Sequence, residues 1–109
     1  MRAQKKVIYI LGAMERTPEY WKNFERAEDD LTALGYIPLS PARLPEELSN
    51  EQNYKTHMAM LDSADAVLLL PGYFYDKCAG LEKAYCDFIG KPCEFSSCLI
   101  SRFFEEVAK

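Results

Sequence analysis

Two apolar runs set the limits on how this chain can fold: Val7-Ile-Tyr-Ile-Leu11 and Ala66-Val-Leu-Leu-Leu70. Neither alternates apolar with polar residues, as a half-exposed strand would. Both therefore read as interior strands of a parallel sheet, over residues 7–11 and 65–70, covered on both faces. Parallel neighbours cannot be joined by a tight turn, so each connection must be a crossover, normally a helix.

The intervening sequence supplies those helices. Thr17-Pro18 offers an N-cap and a first-turn proline, and Trp21, Phe24, Ala27, Leu31 and Leu34 recur at helical spacing until Gly35. Residues 36–39 form a short strand halted by Ser40-Pro41, and residues 42–48 read as loop, with Pro45 inside. Ser49-Asn-Glu-Gln52 has capping-box form and opens a helix to about Ser63 with Tyr54, Met58 and Leu61 as its stripe. A third helix over residues 78–89 places Leu81, Tyr85 and Phe88 inward and stops at Gly90. Residues 93–95 suit a short fourth strand, and Ile100, Phe103, Phe104 and Val107 a last helix. The alternation predicts one domain over residues 1–109: a small flavodoxin-like or Rossmann-like three-layer sandwich with a parallel sheet of four to five strands.

Composition narrows the function. Thirteen Lys and Arg against seventeen Asp and Glu give a net charge of −4, with the basic residues scattered, so no nucleic-acid footprint is present. Cys78, Cys86, Cys93 and Cys98 form no Cys-x-x-Cys pair and His57 is the only histidine, so neither a metal nor another cofactor is expected. Gly12 stands alone in its loop, and both the Gly-x-Gly-x-x-Gly fingerprint and a Gly-Lys-Ser/Thr loop are missing. Arg2, Lys5 and Lys6 before the first apolar run imitate a secretory signal, but that run ends in Glu15-Arg16 without a cleavage site. With no span of eighteen apolar residues, the expectation is a cytoplasmic protein without a membrane partner and with reduced thiols.

One carboxylate stands out. In Cys78-Ala-Gly-Leu-Glu-Lys-Ala84, Glu82 falls in the expected first turn of the third helix, following the turn after Asp65-Ala-Val-Leu-Leu-Leu-Pro-Gly72. Open α/β sheets collect ligands there, outside the carboxyl ends of their strands. An acidic residue in a first turn also serves simply to complement the helix dipole. Cys78 and Cys86 share one side of that helix and read as packing residues.

Several stretches in fixed order carry a resemblance. Tyr9-Ile-Leu-Gly-Ala-Met14, then Asn23-Phe24-Glu-Arg-Ala, Leu34-Gly-Tyr and Ser40-Pro41, then residues 65–72, the Glu82 helix and Gly90-Lys-Pro92 resemble the nucleoside 2-deoxyribosyltransferase-like proteins. They are most similar to the small phage and bacterial branch known as DUF4406. The resemblance implies a nucleoside or nucleotide as the small-molecule partner and assembly with copies of the chain. It implies Glu82 as the nucleophile attacking an anomeric carbon, with Tyr9, Asp76 or His57 orienting sugar or base. Gly12, Ala13 and Met14 would lie beside the sugar and base, and Pro71, Gly72, Tyr73 and Cys78 would complete the substrate pocket. Tyr73-Phe-Tyr75 would stack a base or cover a subunit contact.

The chain departs from the pattern at four places. Cys78 replaces a glycine and Asp76 a serine, and a carboxylate at 76 would repel a 5′-phosphate, unless the loop has re-registered with Gly80 in the glycine's place. His57 stands where an aspartate is usual and would be a proton donor to the leaving base. Ala13 replaces a proline. These changes leave a second reading: a pocket protein that binds a nucleoside, nucleotide or related signal molecule without turnover. The third reading is a structural or partner-binding domain.

Overall fold

In the computed structural model, which describes residues 5–13 and 18–96, the two unbroken apolar runs occupy the middle of the sheet. β1 (Val7–Leu11) lies parallel to β3 (Ala66–Leu69), with Ile8 opposite Ala66 and Leu11 opposite Leu69. β2 (Ile37–Leu39) and β4 (Cys93–Phe95) form the edges, in the order β2-β1-β3-β4, all parallel. Pro38 is tolerated because β2 is an edge strand.

Alternation along the strands sorts two apolar layers. On one face Ile8, Ile10 and Leu68 pack against Phe24, Ala27 and Leu31 of α1 (Pro18–Ala33). On the other, Tyr9, Leu11, Val67 and Leu69 meet Leu61 of α2 (Asn50–Ser63) and Ala79 and Cys86 of α3 (Lys77–Ile89). The result is the three-layer α/β sandwich that the alternation of elements predicts. Strand order reverses between β1 and β3, which places a crevice at their carboxyl ends.

Local chemistry fixes the helix ends. Ser49 Oγ accepts from the Gln52 N–H at 3.1 Å while Gln52 Oε1 accepts from the Ser49 N–H at 2.9 Å, completing the expected capping box. Lys91 Nζ donates to the Ala64 carbonyl at 2.6 Å just past the end of α2. Gly90 closes α3 at φ 74°, a left-handed conformation that residues with a Cβ rarely adopt.

Four expectations are corrected. α1 ends at Ala33, so Leu34 falls in the turn and is exposed. The segment expected as plain loop from residue 42 instead begins within a 3₁₀ turn, Pro41–Arg43, which Ser40 caps by accepting from the Ala42 N–H at 3.2 Å. Asp76 caps α3 and starts it at Lys77, which moves Glu82 into the second turn and weakens any argument from the helix dipole. Finally, the inward face of α3 is Ala79, Glu82 and Cys86, whereas Leu81 and Phe88 point outward, 57% and 87% exposed. Hydrophobic spacing favours the wrong stripe because the buried face contains a carboxylate. The expected last helix, Met14 and Cys98 lie outside the described residues.

Candidate functional site

Glu82 is buried, at 7% exposure, and both of its oxygens are met by side chains from other elements. The Tyr9 hydroxyl, projecting from β1 on the α3 face, donates to Oε1 at 2.6 Å. On the opposite side His57 of α2 brings its Nδ1 to 3.3 Å from Oε2. A strand and two helices thus converge on one carboxylate. Since a carboxylate offers about four lone-pair sites, two partners leave acceptor capacity for a ligand.

Burial, followed by the charge and hydrogen bond of Glu82, holds the Tyr9 phenol far above the usual tyrosine range. Tyr9 therefore remains a donor at every physiological pH. The linkage has a definite sign. Above a pH of about 10 an unfolded tyrosine loses its proton while folded Tyr9 keeps it, so the folded state binds more protons and stability falls as pH rises. Between pH 10 and 11 the unfolded tyrosine goes from about half to about nine-tenths ionised, so this group alone should remove about 1 kcal/mol. Tyr9→Phe is expected to flatten urea-unfolding free energies plotted over that interval by about 0.7 of a proton.

The Glu82 carboxylate borders a cavity of about 390 Å³, within the size range of small-molecule sites. One wall is a single face of α2: Asn50, Asn53, Tyr54, His57 and Met58. The other is the start of α3: Asp76, Cys78, Leu81 and Glu82. Among the described residues no Lys or Arg lines it. Asp76 Oδ1 accepts from the Ala79 N–H at 3.0 Å, so this residue caps the helix as well as facing the cavity. Burial, Asp76 and Glu82 all raise the Cys78 thiol, which keeps it protonated and unsuited to act as a nucleophile.

The remaining site candidates are placed differently. Ala13, Pro71 and Gly72 line a separate cavity of about 240 Å³ beside Tyr20 and Phe24, on the α1 side of the sheet. Gly12 is buried below it, where an added Cβ would come within 2.9 Å of Leu70 Cδ1 and 3.2 Å of Phe24 Cζ. Its lack of a side chain thus serves packing between β1, β3 and α1. Tyr73 packs against the α2/α3 layer, with Phe74 and Tyr75 exposed. The sequence reading overlooked Asn50, Asn53, Tyr54, Met58 and Leu81 as cavity residues. The signal was available in the 50, 53, 54, 57, 58 spacing, which is one helix face leading to His57.

A doubly wound sheet with a buried, doubly held carboxylate beside a cavity near its carboxyl edge defines the chain as an α/β protein with a small-molecule-sized site. Residues 6–95 match the family described as Domain of unknown function (DUF4406), and the chain belongs to it. A solved structure, the 2-deoxyribosyltransferase of the psychrotolerant bacterium Bacillus psychrosaccharolyticus, superposes with a TM-score of 0.67 at 25% identity, covering 82% of this chain and 70% of that one. No curated protein sequence matches the chain. Among the described residues no helix is long and apolar enough to cross a membrane, and no group of three or more His, Cys, Asp and Glu is placed to hold a metal ion.

Proposed function

We propose that the protein cleaves or exchanges the N-glycosidic bond of a nucleoside, with Glu82 as the nucleophile. The observation that carries this reading is the Glu82 carboxylate itself, held by Tyr9 and His57 at the edge of a nucleoside-sized cavity. The likeness to a 2-deoxyribosyltransferase supports it.

One Glu82 oxygen bonds to the anomeric carbon as the carbon–nitrogen bond breaks, and its electron pair leaves with the base. Water or a second base then attacks the same carbon and releases the carboxylate. Tyr9 holds Oε1 and keeps the attacking group oriented. We give His57 a positioning role in place of the donor role that the sequence suggested, because its Nδ1 faces Glu82 and its Nε2 is buried with no hydrogen-bond partner among the described residues. The departing base takes its proton from water in the cavity. With Asp76 and Glu82 in the walls and no Lys or Arg among the described lining residues, a neutral nucleoside fits better than a 5′-phosphate. The assembly with copies of itself implied by the resemblance belongs to the same reading, with exposed Phe88 and Phe95 as surface that such contacts would cover.

The test is to incubate the protein and Glu82→Gln with a panel of deoxynucleosides and deoxynucleotides and follow free base by chromatography. Release confined to the unsubstituted protein supports the reading. Silence across the panel, with ligand-dependent thermal shifts retained, replaces it with a pocket protein that binds without turnover.

A further inference from the structure

The cavity beside Glu82 has two apolar jaws, and water reaches both. Tyr54 on α2 is 43% exposed and Leu81 on α3 is 57% exposed, yet both line the same cavity from opposite walls. Large apolar groups left wet across a slot are a surface that gains from covering a flat ring. Met58, one turn along from Tyr54, extends the α2 jaw with a polarizable thioether.

The same face of α2 carries carboxamides at Asn50 and Asn53. Asn53 Nδ2 donates to the Leu48 carbonyl at 3.4 Å, and the reverse orientation would set two oxygens against each other. One of the two amide N–H groups is thereby taken by the backbone, while Oδ1 accepts from no described residue, so an acceptor with both lone pairs unused is the larger part of what Asn53 offers a ligand. A ring edge bearing an exocyclic amino group satisfies that oxygen, whereas a keto oxygen in its place finds only the one remaining N–H and leaves Oδ1 unpaired.

Resting on the glycosyl-transfer reading, we infer that the first two turns of α2 form a base slot. Tyr54 stacks the ring across from Leu81, and Asn53 selects amino-bearing bases, adenine or cytosine, over their keto counterparts. This gives the α2 wall a task distinct from that of the α3 wall, where Glu82 addresses the sugar. Both side chains reach the cavity without belonging to the buried core, so their replacement leaves the two apolar layers intact.

Titration calorimetry with free adenine, cytosine, hypoxanthine and uracil tests the slot without requiring turnover. The unsubstituted protein should bind each amino base at least about tenfold tighter than its keto partner. Asn53→Ala should bring the pair within about threefold, and Tyr54→Ala should weaken all four about tenfold, with Tyr54→Phe restoring binding. A lack of amino preference, a preference that survives Asn53→Ala, or no binding of any base overturns the inference. Base release from deoxynucleosides, measured on the same preparations, separates the two claims. Release that needs Glu82 but ignores Asn53→Ala and Tyr54→Ala overturns the slot and leaves glycosyl transfer standing. The expected binding pattern without any release supports the slot and overturns glycosyl transfer.

Discussion

Glu82→Gln is expected to lower kcat for base release at least about 10⁴-fold while leaving the fold intact. A drop of that size corresponds to about 5.4 kcal/mol of lost transition-state stabilisation. The amide matches the carboxylate in shape but is a poor nucleophile and carries no charge to meet an oxocarbenium-like carbon. Structurally the exchange is mild, since the amide oxygen still accepts from the Tyr9 hydroxyl and the amide nitrogen can donate to His57 Nδ1 in the matching tautomer. Thermal unfolding within a few degrees of the unsubstituted protein, alongside the collapse in rate, separates chemistry from folding. A retained rate would remove Glu82 from the nucleophile's role.

The fold was legible where burial on both faces, or a helix cap, leaves a local signature. Runs without alternation at residues 7–11 and 65–70 place the two central strands, and Ser49-Asn-Glu-Gln52 marks the start of α2. Legibility failed on α3, for a physical reason. Its core-facing stripe runs Ala79, Glu82, Cys86, and a pattern search rewards Leu81, Tyr85 and Phe88 instead. Glu82 is buried because two partners satisfy it, and partners 73 and 25 residues away in sequence leave no local trace. Conflict between local pattern and global fold is what a partnered carboxylate in a core produces.

The site was legible in part. Glu82, His57, Asp76 and Cys78 do border one cavity, and Tyr9 reaches Glu82 from beneath. The loop residues Ala13, Pro71 and Gly72 line another cavity, because they sit beside Tyr20 and Phe24 of α1 rather than beside α2 and α3. The α2 wall was hidden by the assumption that Tyr54 and Met58 were core. A stripe of apolar residues says that something covers it, and sequence alone does not say whether the cover is the protein or a ligand.

Leu31→Ala is expected to have the converse effect of Glu82→Gln, a large loss of stability with the chemistry unchanged. Leu31 is completely buried in the layer formed by α1, β1 and β3, and lines neither cavity at the carboxyl ends of the strands. Removing its isobutyl group forfeits burial and leaves a void that packed neighbours fill only partly, a cost of about 2–5 kcal/mol. Against a total of about 5–15 kcal/mol for a domain of this kind, the unfolding midpoint should fall by roughly 10–30 °C. Activity per folded molecule, measured well below that midpoint, should stay within about threefold, because the sheet separates Leu31 from the Tyr9, His57 and Glu82 cluster. A proportionate loss of activity under folded conditions would mean that the α1 layer positions the site. The expected independence would instead localise catalysis to the α2 and α3 face, with α1 and its apolar layer serving to hold β1 and β3 in register beneath it.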